Sequence, residues 1–195
     1  MPDINDKNLI NTNRSMTARI AECALFVVLM IVSAYIRIPI PYVPITFQTV
    51  VAVLAGLLLG AKWGTASVAV YIFMGLLGLP VFSGGGGFAY VLQLTFGYIL
   101  GFAAAAFAAG AVRGRGPLTL RRAVVAALAA FLANYLVGIP YFACIWHFYM
   151  KMDGLWQAIL VNNILYMPKD LILCALAAVL AERMGKWLAF RSGRR

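Results

Sequence analysis

From Ala18 to the C-terminus the chain is a succession of apolar runs, parted by short breaks that are basic, proline-marked or glycine-rich. The runs fall roughly at 18–37, 46–61, 64–81, 88–112 and 120–147, followed by a last one at 155–187. A helix needs about 20 apolar residues to cross about 30 Å of hydrocarbon. The second run is short for that task. The last is too long, since at about 1.5 Å per residue it would approach 50 Å. Pro168 supplies a cut, because proline is tolerated in the first turn of a helix, where its missing N–H costs nothing. A span then starts at "PKDLILCALAAVLAERMGKW", and "LWQAILVNNILYM" before it becomes a short amphipathic or re-entrant segment. A single kinked helix over 155–187 is the alternative. The pattern predicts an all-α integral membrane protein with six transmembrane helices.

Composition agrees, at 64% hydrophobic and 11% charged; a soluble domain is nearer half apolar and a quarter charged. The length suits one domain. We expect a polar tail at 1–16, a six-helix bundle at 17–188 and a basic tail at 189–195. The opening "MPDINDKNLINTNRSMTAR" lacks the apolar core and small-residue cleavage site of a signal peptide.

The net charge of +10 raises nucleic acid as a partner, and the placement of the charges argues against it. With the N-terminus inside, the inner segments hold Lys7, Arg14, Arg19, Lys62, Arg113, Arg115, Arg121, Arg122, Arg183, Lys186, Arg191, Arg194 and Arg195. The outer loops hold Arg37 and Lys151, with Lys169 at the start of the last span. The positive-inside rule then predicts both termini inside. Cys23, Cys144 and Cys174 are scattered, with no CxxC, and read as small apolar fillers.

This topology puts three unusual stretches on the outer face. In "RIPIPYVPITFQT" the prolines Pro39, Pro41 and Pro44 hold the backbone extended. Irregular backbone at membrane depth must be buried in protein or line a cavity, which gives this loop the shape of a lid; a stiff connector is the plainer reading. In "LPVFSGGGGFAY", Gly84, Gly85, Gly86 and Gly87 allow close approach of backbone to a ligand, or simply make a turn. The third stretch is "CIWHFYMKMDG", with the segment and the "MPKD" that follow it. Ionisable groups in spans are costly and usually mark function or pairing, so Lys169 and Asp170 stand out; a cap carboxylate is the plainer reading of Asp170. Gln48, Gln93, Thr95, Asn134, Asn162 and Asn163 add polar groups near the outer half, each of them also explicable as helix–helix glue.

Several classes fall away. There is one histidine, no HExxH and no GxSxG, so a zinc hydrolase or an intramembrane protease lacks its constellation. Without Walker motifs the chain does not hydrolyse ATP. No internal repeat is evident, which weakens an inverted-repeat transporter. No metal or cofactor site is expected. What survives is a small bundle with a lidded pocket on its outer face.

The blocks "IPIPYVPITFQT", "LAGLLLGAKWG", "GLLGLPVFSGGGG", "TFGYILGF" and "PKDLILCALAAVLAERMG" resemble, in order and spacing over roughly 17–188, the BioY family of biotin transporters. These are substrate-binding (S) components of energy-coupling factor (ECF) transporters. The resemblance implies the S-component fold, biotin capture from outside a bacterial plasma membrane, and two kinds of partner: a transmembrane coupling protein and a pair of ABC-type ATPases. It implies no enzymatic activity. Asp170 matches the family's Asp after the Pro and would accept from the ureido N–H groups of biotin. Phe47, Phe82, Tyr90 and Tyr98 could wall its ring system, with Gln48, Ser83, Gly84, Gly85, Gly86, Gln93 and Asn134 completing the expected site under a lid carrying Pro39, Pro41 and Pro44. Two departures stand out. Many members read Pro-Gly-Asp with a Lys three residues after the Asp, where this chain has Lys169 in the Gly position and Leu173 in the Lys position. "LQLTFGY" replaces the commoner "GPTGGY". Lys169, Arg37, Lys151 or backbone N–H groups at a helix start are then the candidates for the biotin carboxylate. The rivals are an S component for thiamine or riboflavin and, from another class, a membrane enzyme acting on lipid.

Overall fold

The structure is a computed structural model that describes residues 4–38, 45–114, 116, 118–164 and 166–191. The proline-rich lid positions Pro39, Pro41 and Pro44 and the last four residues lie outside that set. Among the described residues, six α-helices make the body: α1 (Ile4–Tyr35), α2 (Gln48–Leu76), α3 (Phe96–Arg113), α4 (Leu120–Cys144), α5 (Leu155–Ile164) and α6 (Met167–Arg191). A two-residue antiparallel pair, β1 (Arg37–Ile38) with β2 (Ile45–Thr46), closes the connection between α1 and α2. Among the described residues, five stretches are long and apolar enough to cross a membrane: Met16–Tyr35, Gln48–Leu76, Phe96–Arg113, Leu120–Tyr149 and Leu155–Lys186.

The stretch Gln48–Leu76 is not straight. Gly60 has φ 81° and ψ 175°, outside the helical region, a conformation that glycine adopts without a Cβ penalty. The chain folds back there. Gln48 Nε2 donates to the Tyr71 hydroxyl at 2.7 Å across 23 residues, which a straight helix would hold about 35 Å apart. A Cβ on Gly64 would meet the Ala55 carbonyl oxygen at 2.6 Å, so the two arms touch backbone to backbone. Arg113, at the end of α3, donates through Nη1 to the carbonyls of Leu57 at 2.5 Å and Leu58 at 3.1 Å. Those carbonyls lose their intrahelical partners where the first arm stops, and a cation is the favoured cap there.

α1 buries one stripe, Phe26, Val27, Met30, Ser33 and Ala34, and exposes Leu25, Val28, Leu29 and Val32. The buried spacing is helical, and the opposite face is as apolar as the buried one, which suits lipid rather than water. The same holds for Phe107, Leu132 and Leu136, the last of them 75% exposed.

Where four helices meet, the contact is made by small residues: Ala105 and Ala109 of α3, Ala123, Ala126, Ala127 and Ala130 of α4, and Ala177, Ala178 and Ala181 of α6, closed by Val53 and Leu57 of α2. Small side chains let helix backbones approach closely and pack by dispersion. A second cluster is built from large side chains, Met30, Tyr71, Phe82, Tyr90, Phe96 and Phe102. A third, Leu94, Phe142, Ile145, Trp146 and Ala158, ties α5 to the end of α4.

Four boundaries differ from the hydrophobic pattern. The run at 88–112 becomes a 3-10 turn over Phe88–Leu92 and a helix only from Phe96, because Gln93 is extended (ψ 142°). The run at 120–147 ends its α-helix at Cys144 and widens into a π turn over Ile145–Tyr149. At the other end of the chain, α1 continues as helix through the polar segment expected as a tail, back to Ile4. In the last run, α5 and α6 are separate helices with Pro168 in the first turn of α6, so of the two readings the cut describes the fold.

Candidate functional site

The site grows from one buried carboxylate. Asp170 sits in the first turn of α6, where its backbone N–H bonds the Tyr166 carbonyl at 3.0 Å. Its residue is 6% exposed, so the charge must be compensated. Oδ1 accepts from the Thr49 hydroxyl of α2 at 2.9 Å and lies 2.7 Å from the Lys169 ammonium. Oδ2 accepts from the Tyr135 hydroxyl of α4 at 2.8 Å. One carboxylate thereby joins α2, α4 and α6. Lys169 also reaches the Thr46 carbonyl at 3.5 Å.

Above this knot lies a cavity whose empty space, open mouth and solvent included, is about 550 Å³. α2 and the strand before it contribute Thr46, Gln48 and Thr49; the loop after α2 contributes Ser83. Thr95, Tyr98, Ile99 and Phe102 come from the start of α3, and Asn134 and Tyr135 from α4. Asn162, Tyr166, Lys169 and Asp170 close the far side. Glycine makes room for some of these groups. A Cβ on Gly101 would stand 2.2 Å from Asn134 Oδ1, and one on Gly138 would stand 2.4 Å from the Tyr98 ring. Tyr98 in turn donates to Asn163 Oδ1 at 2.5 Å.

Of the residues expected from the sequence, the cavity brings together Asp170, Lys169, Gln48, Ser83, Tyr98 and Asn134. Phe47 stands just before α2 and is 42% exposed. Phe82 and Tyr90 are packed away from the cavity, ring centroids 4.6 Å apart; Phe82 also lies against Gly75, where a Cβ would meet its ring at 2.0 Å. Gly84, Gly85 and Gly86 belong to a tight turn. Phe82 and Gly85 exchange backbone hydrogen bonds at 2.8 and 3.1 Å, and Gly85 and Gly87 have φ of 118° and 105°. That turn plugs Phe82 into the core and delivers Ser83 to the cavity wall. Gln93 is exposed beyond the 3-10 turn. Arg37 donates to the Ser83 carbonyl and Tyr35 to the Pro80 carbonyl, so β1 is moored to this loop at the cavity mouth.

Sequence reasoning did not single out Thr46, Thr49, Tyr135 or Tyr166. The available signal was adjacency: Thr49 follows Gln48, and Tyr135 follows Asn134.

A family model described as the BioY family matches residues 6–190. The chain belongs to the BioY family. A probable biotin transporter BioY of Lysinibacillus sphaericus is 41% identical over 181 residues, covering 91% of each chain. One from Pyrococcus horikoshii is 37% identical over 162 residues, covering 83% of this chain and 92% of the relative. Among solved structures, the S-component for biotin from an ECF-type ABC transporter superposes with a TM-score of 0.70 at 27% identity, covering 89% of this chain and 94% of that one. With five apolar stretches of spanning length, this BioY family member is a helical membrane protein.

Proposed function

We propose that this BioY family member captures biotin and serves as the S component of an ECF-type transporter, as a binding protein and not an enzyme. The observation that carries this reading is the cavity that closes on a buried Asp170 held on both oxygens. The family assignment and the biotin S-component neighbour support it. Biotin is a compact apolar bicycle with one polar edge, the ureido, and one charged end, the valerate carboxylate. A cavity lined by Ile99 and Phe102 together with hydroxyls, amides and a carboxylate suits such a molecule.

The finer assignments are ours. The ureido edge rests at the Asp170 end, whose carboxylate has one acceptor position beyond the three in use. Lys169 uses N–H groups on Asp170 and Thr46 and has a third for the valerate. The Pro39, Pro41 and Pro44 segment closes over the mouth, and no cofactor takes part. The two arms of α2 each cross the bilayer, giving six spans with both termini inside. Residues 17–188 form one membrane domain of a bacterial plasma membrane, in contact with lipid. A transmembrane coupling protein and an ABC-type ATPase pair supply the energy.

Calorimetry on the purified protein in detergent tests the reading, with thiamine and riboflavin as controls. Tight biotin binding with silent controls is expected. No heat with biotin, or heat with a control vitamin instead, would overturn it. Biotin methyl ester tests Lys169 separately: binding equal to biotin would remove it from the carboxylate.

A further inference from the structure

α3 starts at the Asp170 cavity and runs to Arg113, and α4 starts at Leu120 and returns to that cavity at Asn134. At the opposite end of the bundle the two helices enclose a second, open cavity, lined by Val112, Thr119, Arg121, Arg122 and Val125. Gly114 and Gly116, with φ of 67° and 120°, lie in the turn between them. A Cβ on Gly116 would stand 3.4 Å from Arg122 Nη1, so the glycine leaves that guanidinium its place beside the turn.

The lining is of two chemical kinds. Val112 and Val125 are exposed apolar side chains. Arg121 and Arg122 are exposed as well, and among the described residues neither makes an ion pair. Glu182, at the same end of α6, is taken by Lys186. Thr119 caps α4 by accepting the Arg122 backbone N–H at 3.4 Å, so the cavity offers the guanidinium pair and not an uncapped helix start. The apolar part continues beyond the cavity. Arg121, Val125, Leu128, Leu132 and Leu136 have the spacing of one helix face, and the four apolar members are all exposed. From Val125 to Leu136 the stripe runs about 16 Å along the axis, about half of the ~30 Å of hydrocarbon, which is the depth of one leaflet. Two uncompensated cations at the head of such a stripe match an anion with a long apolar body.

We infer that this cavity holds the headgroup of an anionic glycerophospholipid. The phosphate accepts forked N–H bonds from Arg121 and Arg122, and an acyl chain lies along Val125, Leu128, Leu132 and Leu136. Basic pockets between spans at the inner surface suit such headgroups, and the proposed orientation puts this end inside. A free phosphate would use the arginines and leave the stripe unused, whereas a lipid uses both. The site is separate from the Asp170 cavity and does not depend on which vitamin that cavity takes.

The test follows lipid retention by native mass spectrometry and melting temperature in detergent, for the full chain with added phosphatidylglycerol, phosphatidylcholine or glycerol phosphate. It compares wild type with the double variant Arg121→Gln/Arg122→Gln. A control double variant, Lys62→Gln/Arg183→Gln, removes the same charge from exposed residues outside the cavity. Wild type should retain one phosphatidylglycerol in preference to phosphatidylcholine and melt higher in its presence. The arginine variant should bind phosphatidylglycerol about tenfold or more weakly, and the control should match wild type. Equal retention of the two lipids by wild type would overturn the inference, as would an arginine variant that behaves like wild type. An equal loss in the control would mean general surface charge, and a glycerol phosphate shift as large as the lipid's would mean a phosphate site; either result overturns it. Leu132→Gln tests the stripe with both arginines in place: it should lower retention of phosphatidylglycerol, and unchanged retention would overturn the lipid reading.

Discussion

The same four helical segments build both ends of the bundle, and they follow different packing rules at each. Away from the cavity, α3, α4 and α6 meet through alanine after alanine, closed by Val53 and Leu57 of α2. At the cavity end those helices carry Tyr98, Asn134, Tyr135 and Asp170 and stand apart enough to leave the cavity. The alanine end gains its stability from close approach, and any added volume must be accommodated by backbone. The cavity end is held by one charge knot with donors from three helices. One end should therefore respond to size, and the other to polarity.

The sharpest break in that contrast is Asp170→Ala. It strands the half-buried Lys169 ammonium and leaves the Thr49 and Tyr135 hydroxyls without their acceptor. A stability loss of about 3–5 kcal/mol is expected, read as a fall in melting temperature, together with at least tenfold weaker biotin binding by titration. Unchanged affinity would take Asp170 out of the site. Ala126→Leu probes the other end. Overpacking should destabilise by about 1–3 kcal/mol, while the biotin affinity of the folded fraction stays at the wild-type value. An affinity change larger than the stability change would mean the two ends are not separable. Gly60→Ala puts a Cβ on the positive-φ break in α2 and should cost about 1–3 kcal/mol, visible in thermal unfolding; no cost would mean the arms reconnect without that conformation. Thr49→Val is the mildest. It removes one of three donors to the buried Asp170 carboxylate, worth about 1.5 kcal/mol, and should weaken biotin by a few-fold and lower the melting temperature by a few degrees.

The helical framework was largely readable from the sequence, and the cavity end was readable only in part. Apolar runs of spanning length, the gap between the runs at 46–61 and 64–81 and a helix start at Pro168 are local signals, because length, a polar interruption and a missing N–H act where they stand; that Gly60 makes the turn came only from the structure. Asp170 was equally visible, as a charge in a place that resists charge. Its partners were not. Thr49 and Tyr135 lie 121 and 35 residues away, and which face of a helix turns inward depends on packing that no single segment encodes. Aromatic residues were the least informative, since a ring suits a cavity wall and a core equally. Tyr98 lines the cavity, while Phe82 and Tyr90 pack behind it.

The pairing of Lys169 with Asp170 at 2.7 Å has an electrical consequence. The two charges cancel, so the empty site presents almost no net charge to the field across the membrane. Under the proposed function an anionic ligand would then travel with its own charge uncompensated. Against an interior-negative potential that costs about 2.3 kcal/mol per 100 mV, work that falls to the energising partners and that would surface as a voltage dependence of uptake.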